Sequence, residues 1–485
     1  MKTNKSSLFS RLLLSIISGV LFVFAFPPFD IWQIAFFALI PLLAAGKEDD
    51  WQNFFIGLIA GICFYSISFF WLYRLAGPVY LLLTLYLSIY WGIFLYLVFA
   101  LPERGRIFTA GFLWFLLEII VSYLLTGFPW LLAGLSQWNN PYLIKIAGIF
   151  GIYGLSFLVI LWNFTLFYSF RKRYLVSFFI SVILFTAVIL YTPATFVSVS
   201  ENTGASLRIM VAQPNISATE RNPYKDIEKI KGLTLEYLEK EDADIIIWPE
   251  GIYPDIITRN TNLIKDLKEF SKRYRAGLIL GTFTEDNYGI YNSAVLIEGD
   301  EVQVYNKTHL VPYGEFIPGG RLEIISNTFQ RIAGYIPYLK EGREVVPLTF
   351  KEMKIGALIC FENIFPEISR HLIEEGAEVF IVITNDSWFG NSAGPYQHFA
   401  HNCIRAVETG RYFIQSSLTG ISGIVSPEGT VKGIVKSNGE YLFIDGVISY
   451  SVPLTKGETP YSKTGNMPLF ILSVIFTGAA ICRKR

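Results

Sequence analysis

Cysteine is scarce in this chain: four occur in 485 residues, and no two stand in a CxxC pair. That excludes the short-spaced zinc and redox motifs and argues against a disulfide framework. A Cys360–Cys403 bridge stays open from sequence, although it would consume the thiol of Cys360. An excess of either charge is also missing, because 40 Lys and Arg are balanced by 40 Asp and Glu. No basic stripe interleaved with aromatics runs along the chain, so nucleic acid is not an expected partner. Neither internal repeats nor low-complexity tracts interrupt it, and the length suits two or three domains.

What the chain has in abundance is apolar sequence. Hydrophobic residues make up 52% and mean hydropathy is +0.43, above the soluble norm. A helix needs roughly 20 apolar residues to cross a hydrocarbon core of about 30 Å. Runs approaching that length cover 8–26, 31–46, 53–73, 78–101, 107–126, 143–170 and 174–194, with a further one at 466–481. The second and the last are short. The first follows Lys2, Lys5 and Arg11 but ends in FAFPPFD, without the small-residue pattern of a cleaved signal peptide, so it is expected to be retained. With the N-terminus in the cytoplasm, alternation puts Lys47, Arg104, Arg106, Arg171, Lys172, Arg173 and the terminal Arg483, Lys484 and Arg485 on the cytoplasmic side. Only Arg74 and Lys145 fall near the opposite side, the asymmetry that the positive-inside rule prefers. An odd number of spans before residue 195 carries the next segment across the membrane.

From about 205 to 452 the texture changes. Short β-branched apolar strands such as ADIIIWPE, AGLILGTFT, YNSAVLIEG, MKIGALICFE and AEVFIVITND alternate with polar helical stretches such as DIEKIKGLTLEYLEKE. Continuous apolar strands of this kind predict an α/β sheet covered on both faces, with hairpins elsewhere. The expected organisation is a membrane domain over 1–194, a catalytic domain over 205–452, and a C-terminal span with a basic tail over 466–485. Linkers fall at 195–206 and 453–465.

Three residues in that segment make a chemical set. Glu250 lies in IIIWPEG, Lys307 in YNKTHLVPYGE and Cys360 in IGALICFEN. A thiol attacks a carbonyl and holds the acyl group as a thioester, a carboxylate takes its proton, and an ammonium stabilises the developing oxyanion. Such a set needs no cofactor and no metal. Glu250 and Cys360 both sit where an apolar strand ends, the usual place for ligands in α/β folds.

These motifs, with TNDSWFG at 384–390, resemble the nitrilase (carbon-nitrogen hydrolase) superfamily, whose members place Glu, Lys and Cys in this order. FPPFD at 26–30, GFPWLLAGLSQW at 127–138, GIYGLSFL at 151–158 and HLVPYGEFIP at 309–318 narrow the resemblance to the apolipoprotein N-acyltransferase family. The resemblance implies an α-β-β-α sandwich on a multi-span α-helical membrane domain in a bacterial inner membrane, the catalytic domain facing the periplasm. It also implies a phospholipid acyl donor and a diacylglyceryl apolipoprotein as acceptor. Carried over, Glu250 is the base, Lys307 the oxyanion stabiliser and Cys360 the nucleophile; Glu315 is a supporting glutamate, and Phe361 and Glu362 line the nucleophile. Three positions depart from the family pattern: Asn222 where a Trp is common, Gly251 where Thr is, and Gln415 where Arg is. One chain supplying both anchor and site suits a monomer.

Other readings stand beside these. A hydrolase that uses the same residues with water as acceptor shares the thioester, and a non-catalytic paralogue would keep the domain without the chemistry. His398 and His401 are either structural or pocket-lining, since a zinc site would need a third ligand that is not evident. Glu118, at membrane depth, is either a functional carboxylate or a hydrogen-bonded one inside the bundle. Phe128, Pro129 and Trp130 suit the membrane interface, as lipid guides or as anchors. Residues 323–338 are expected to rest on the outer leaflet as a lid.

Overall fold

The computed structural model describes residues 7–103, 105–172, 179, 182–183, 186, 201–319 and 338–482. Most of the 174–194 run and nearly all of the 323–338 segment lie outside the described residues. The chain divides into two units. One contains Met1–Ser198, Ser392–Glu408 and Thr459–Arg485, and the other Val199–Asn391 and Thr409–Glu458.

In the second unit, strands such as IIIWP and VFIVIT have no polar side to give to water, so both faces must be covered. The strands are β1 (Glu201–Gln213), β2 (Ile245–Ile247), β3 (Tyr253–Ile256), β4 (Gly277–Asp286), β5 (Gly289–Glu298), β6 (Glu301–Asn306), β7 (Leu348–Phe350), β8 (Met353–Ile359), β9 (Val379–Thr384), β10 (Phe413–Ser417), β11 (Gly423–Val425), β12 (Val431–Ile434) and β13 (Gly446–Lys456). They form two sheets, ordered β13-β1-β2-β4-β5-β6, with β3 on β4, and β12-β11-β10-β9-β8-β7. Alternate residues of both sheets meet in one apolar layer: Ile209, Val211, Ile245, Ile247, Ile279 and Leu296 from the first, Ile355, Ile359, Val379, Ile381 and Ile383 from the second. The other face of the first sheet packs Met210, Ile246, Leu278 and Leu280 under Ile227 and Ile230 of helix Pro223–Leu238 and Leu267 and Phe270 of helix Thr261–Tyr274. Helix Pro366–Glu374 packs against β8. The result is the expected α-β-β-α sandwich, with parallel pairs β1/β2, β2/β4, β8/β9 and β9/β10 made by helical crossovers.

The first unit is helical, and its helices follow the apolar runs. Phe70–Ala100, Arg106–Thr126 and Ile144–Ser169 are long and apolar enough to cross a membrane, and Leu8–Val23, Trp32–Ala45, Asn53–Ser68 and Met467–Ala480 are shorter apolar helices. The 31–46 run is broken into a 3-10 turn at Trp32–Phe36 and a helix at Ile40–Ala45 with Pro41 in its first turn, where a missing N–H costs nothing. Two buried arginines of this unit make ion pairs. Arg11, fully buried, donates to Asp50 (2.7 Å), Asn53 (2.8 Å) and the Ala45 carbonyl (2.7 Å), and Arg106 makes a bidentate pair with Glu48 at 2.7 and 2.6 Å. These pairs tie the start of the first helix to the 46–53 turn, and that turn to the start of the helix at Arg106.

Inside this unit, Glu118 accepts from the Trp114 indole and from the Ala133 backbone, both at 2.7 Å. It therefore lies in the bundle interior and fastens the turn Ala133–Gln137. Trp130, expected at the interface, is instead buried at 3% exposure, because its indole N–H has a polar partner inside: Gln397 Oε1 accepts from Trp130 (3.0 Å) and Trp71 (3.1 Å). The Gln397 amide in turn donates to the Ser68 and Pro27 carbonyls. His401 shares a hydrogen with the Trp130 carbonyl (2.9 Å), and the His398 ring stacks on Trp130.

Gln397 thus joins three segments of the unit through one side chain. Replacing it with Leu removes the acceptor of two indoles and the donor to two carbonyls, at about 1–3 kcal/mol for each buried group left unmatched. A thermal melt of the detergent-solubilised Gln397→Leu protein is expected to fall clearly below the wild type, and an unchanged melt would refute this anchoring role.

Candidate active site

Four strand ends converge on one buried polar cluster in the second unit. Glu250 follows β2, Lys307 follows β6 directly, Cys360 follows β8 directly, and Thr384, Asn385 and Asp386 close β9. A strand end frees the backbone from the ladder while the strand fixes its origin, so side chains there are aimed at a common point.

Lys307 is the centre of the charge pattern. It is fully buried, and its ammonium donates to Glu315 Oε1 at 2.9 Å while standing 3.9 Å from Glu250 Oε1. Burial works against its charge, but the Glu315 and Glu250 carboxylates and Cys360 outweigh it and hold its pKa above the lysine range. Glu315 is fixed from its other oxygen by the Val311 N–H (2.7 Å). Glu250 accepts from Asn292 on Oε1 (2.7 Å) and from the Asn385 N–H on Oε2 (2.8 Å). Burial raises its pKa above the ordinary carboxylate value; Lys307 pulls the other way, and Glu315 adds to the rise.

Cys360 turns out of β8 with φ at +52°, a left-handed backbone that a side chain adopts only at a cost. Burial first, then Glu250, push its thiol well above the usual value, while Lys307 and a hydrogen bond with Thr384 oppose them. None of the four cysteines is in a disulfide. The Cys360–Cys403 bridge left open by sequence is not formed.

Glu362, expected beside Cys360, ties two turns together. One oxygen accepts from the Thr308 N–H (2.7 Å), the Thr308 hydroxyl (2.9 Å), the His309 N–H (3.2 Å) and the Tyr305 hydroxyl (2.9 Å), and the other accepts from the Ile359 N–H (2.8 Å). This carboxylate clamps the Lys307 turn to the Cys360 turn. Phe361 is buried against Phe365 and the His309 ring.

The structure accounts for the three departures locally. Asn222 caps helix Pro223–Leu238 by accepting from the Lys225 N–H (3.1 Å). Gly251 has φ at +61°, where a β-branched Thr would be strained, and its carbonyl accepts from Arg221 at 2.5 Å. Gln415 donates to the Ile421 carbonyl at 2.8 Å inside the second sheet.

Two contributors escaped the sequence reading. Asn292 bridges Glu250 and Glu315, and its signal was an amide in the middle of the apolar strand YNSAVLIE. Gly281 lets β4 press on the Glu250 turn: a Cβ there would lie 2.3 Å from the Glu250 Cα. Glycine inside a strand marks such a close backbone approach.

A thiol whose pKa is raised loses its proton only as pH climbs through and past the ordinary thiol range. Alkylation of Cys360 by iodoacetamide is therefore expected to rise about tenfold per pH unit above neutrality. A plateau already reached below neutral pH would instead reveal a preformed thiolate.

With that geometry in hand, the relatives are informative. Residues 18–165 match the apolipoprotein N-acyltransferase N-terminal domain, and residues 208–454 match the carbon-nitrogen hydrolase family. An apolipoprotein N-acyltransferase of Geobacter metallireducens is 32% identical, with 94% of this chain and 92% of that one covered. One of Haemophilus influenzae is 29% identical over 96% and 93%, and one of Wigglesworthia glossinidia brevipalpis 31% over 94% and 95%. Both parts of the chain and nearly its whole length are matched in the same relatives, so the chain belongs to the apolipoprotein N-acyltransferase family.

Proposed function

We propose that this protein transfers a fatty acyl chain from a phospholipid to the α-amino group of the diacylglyceryl-cysteine of an apolipoprotein, through a thioester on Cys360. The observation that carries the reading is the buried ammonium of Lys307, held by Glu315 beside Glu250 in the same cluster as Cys360. In the first half-reaction the Cys360 sulfur attacks the ester carbonyl as Glu250 takes the thiol proton. Lys307 faces the oxygen that becomes negative, a contribution typically worth about 10²–10³ in rate. The carbon–oxygen bond to the glycerol breaks, Glu250 returns the proton to the leaving oxygen, and lysophospholipid departs.

The second half-reaction reverses these roles. The acceptor amine attacks the thioester while Glu250 takes a proton from nitrogen, and Cys360 leaves with a proton to regenerate the thiol. Donor and acceptor use the site in turn, which makes the kinetics ping-pong.

The apolar unit belongs to this reading. An acyl chain of about sixteen carbons, at about 0.8 kcal/mol per methylene, does not leave a bilayer for a site in water. The proposal therefore puts the protein in the bacterial inner membrane, a monomer with its catalytic domain over 205–452 on the periplasmic side and spans over 1–194 and 466–485. The charge asymmetry of Lys47, Arg106 and the terminal basic tail supports that orientation.

Intact-mass spectrometry of the full chain incubated with phosphatidylethanolamine tests the chemistry. A fatty-acyl increment is expected on the wild type and not on Cys360→Ser, and it is expected to pass to a diacylglyceryl-cysteine peptide with parallel double-reciprocal lines. Loss of the increment to water without acylated peptide would mean hydrolysis, and no increment at all would end the proposal.

A further inference from the structure

We infer that Asn292 is a positioning residue that keeps the base Glu250 apart from Lys307 by donating one amide hydrogen to each of the two carboxylates that compete for the ammonium. The inference rests on the reading of Glu250, Lys307 and Cys360 given above.

Four polar atoms alternate around a ring. Asn292 Nδ2 is 2.7 Å from Glu250 Oε1 and 2.9 Å from Glu315 Oε1, and Lys307 Nζ is 2.9 Å from Glu315 Oε1 but 3.9 Å from Glu250 Oε1. Two acceptors sit at opposite corners, with a neutral amide and a cation between them. Because both neighbours accept, only the nitrogen end of the amide fits, and it spends both hydrogens. The same residue holds the cation from behind: the Asn292 carbonyl accepts from the Lys307 N–H at 2.8 Å. Asn292 is itself fixed in β5, paired with Phe283 of β4, and only 5% exposed. One strand residue thus sets the Glu250 side chain, the Glu315 side chain and the Lys307 backbone.

An ammonium has three hydrogens and a strong preference for charged acceptors. Without the amide, Glu250 Oε1 loses its 2.7 Å donor, and Lys307 is the nearest replacement. Closing that gap by about an ångström would neutralise the base and draw the cation away from the reacting carbonyl. No other side chain does the same job. Asp has the shape but adds an acceptor and a charge, Ala has neither hydrogen, and Thr keeps a single hydroxyl donor.

The groups that face this ring from the surrounding turns are Glu250, Glu315, Lys307, Cys360, Asp386 and Glu362. Carboxylates outnumber the lone lysine, so a further one at position 292 makes a proton on Glu250 harder to remove.

The test is single-turnover formation of the Cys360 acyl adduct from phosphatidylethanolamine in mixed micelles, by the full chain, across the acid limb of the pH profile. Asn292→Ala is expected to lose about a hundredfold in the acylation rate, the scale of a one-ångström misplacement, with donor KM moved less than about threefold because Asn292 does not touch substrate. Asn292→Asp is expected to lose at least as much at neutral pH, with its acid limb displaced to higher pH. Asn292→Thr, which suits a strand, covers the case in which those variants do not fold, and it is expected to lose about tenfold with a smaller displacement. Wild-type rates and an unmoved limb in whichever variants fold would overturn the inference, as would a loss confined to KM. The Cys360→Ser control separates the two claims. An adduct that persists in it sinks the thioester reading itself, whereas an adduct absent there and undiminished in the Asn292 variants sinks only the role of Asn292.

Discussion

A buried ammonium is the constraint from which the rest of the catalytic unit is arranged. Lys307 is fully covered, and taking a lysine out of water costs several kcal/mol unless charge and hydrogen bonds replace the solvent. Glu315 supplies the charge, and Glu250 adds to it from 3.9 Å. Two carboxylates around one cation leave the cluster with an excess of negative charge, and that excess falls on Glu250 and Cys360. Both are driven toward their protonated forms, by burial in the first place and by their neighbours in the second. Lys307 is driven the other way, toward its cation, by the same carboxylates.

Holding that cluster is a problem of joining strand ends that belong to different sheets. Lys307 leaves β6 of the first sheet and Cys360 leaves β8 of the second. Glu362 solves it by accepting from Thr308 and His309 on one side and Ile359 on the other, five donors on one carboxylate. Burial raises the pKa of this carboxylate, and the donors from Ile359, Thr308 and Tyr305, with the nearby Lys307, oppose that rise without cancelling it. The Glu250 turn is seated differently, by backbone contact: Gly281 gives up a side chain so that β4 and the turn can touch, and Gly251 takes the left-handed conformation that follows. Position here is enforced by sterics on one flank and by a hydrogen-bonded carboxylate on the other.

Much of this was legible in the sequence, and the remainder was hidden for physical reasons. Unbroken apolar strands such as IIIWPE and VFIVITND specify a sheet covered on both faces, whereas the two-sheet sandwich was implied by the family resemblance. Glu250 and Cys360 stood out because each sits at the end of such a strand with a chemistry to offer, Lys307 by its motif YNKTHLVPYGE, and Glu315 through the family resemblance. Asn292 showed only an amide in an otherwise apolar strand, and its partners became visible once distant turns were brought against it. The break of the 31–46 run into two short helices was equally hidden, as was the burial of Trp130, because an indole reads as an interface residue until Gln397, far along the chain, supplies an acceptor. Helix Ala393–Thr409 has an amphipathic pattern that fits either unit, and nothing in its sequence alone assigns it to the apolar one.

If Glu250 is the base, as proposed above, its raised pKa bears on how one carboxylate serves both halves of the transfer. A base with an ordinary carboxylate pKa takes a thiol proton poorly and surrenders it too readily to solvent, whereas a base shifted toward neutrality accepts the proton and remains a useful acid for the departing oxygen. Once lysophospholipid has left, the same carboxylate is ionised and meets an amine rather than an ester. An incoming ammonium is favoured by the negative excess of the cluster, and it can lose its proton there before attacking the thioester. Water gains nothing from that field, because it brings no positive charge to the carboxylates. In the proposed mechanism, the negative excess that raises the thiol pKa therefore also biases the second half-reaction toward an amine acceptor and away from hydrolysis.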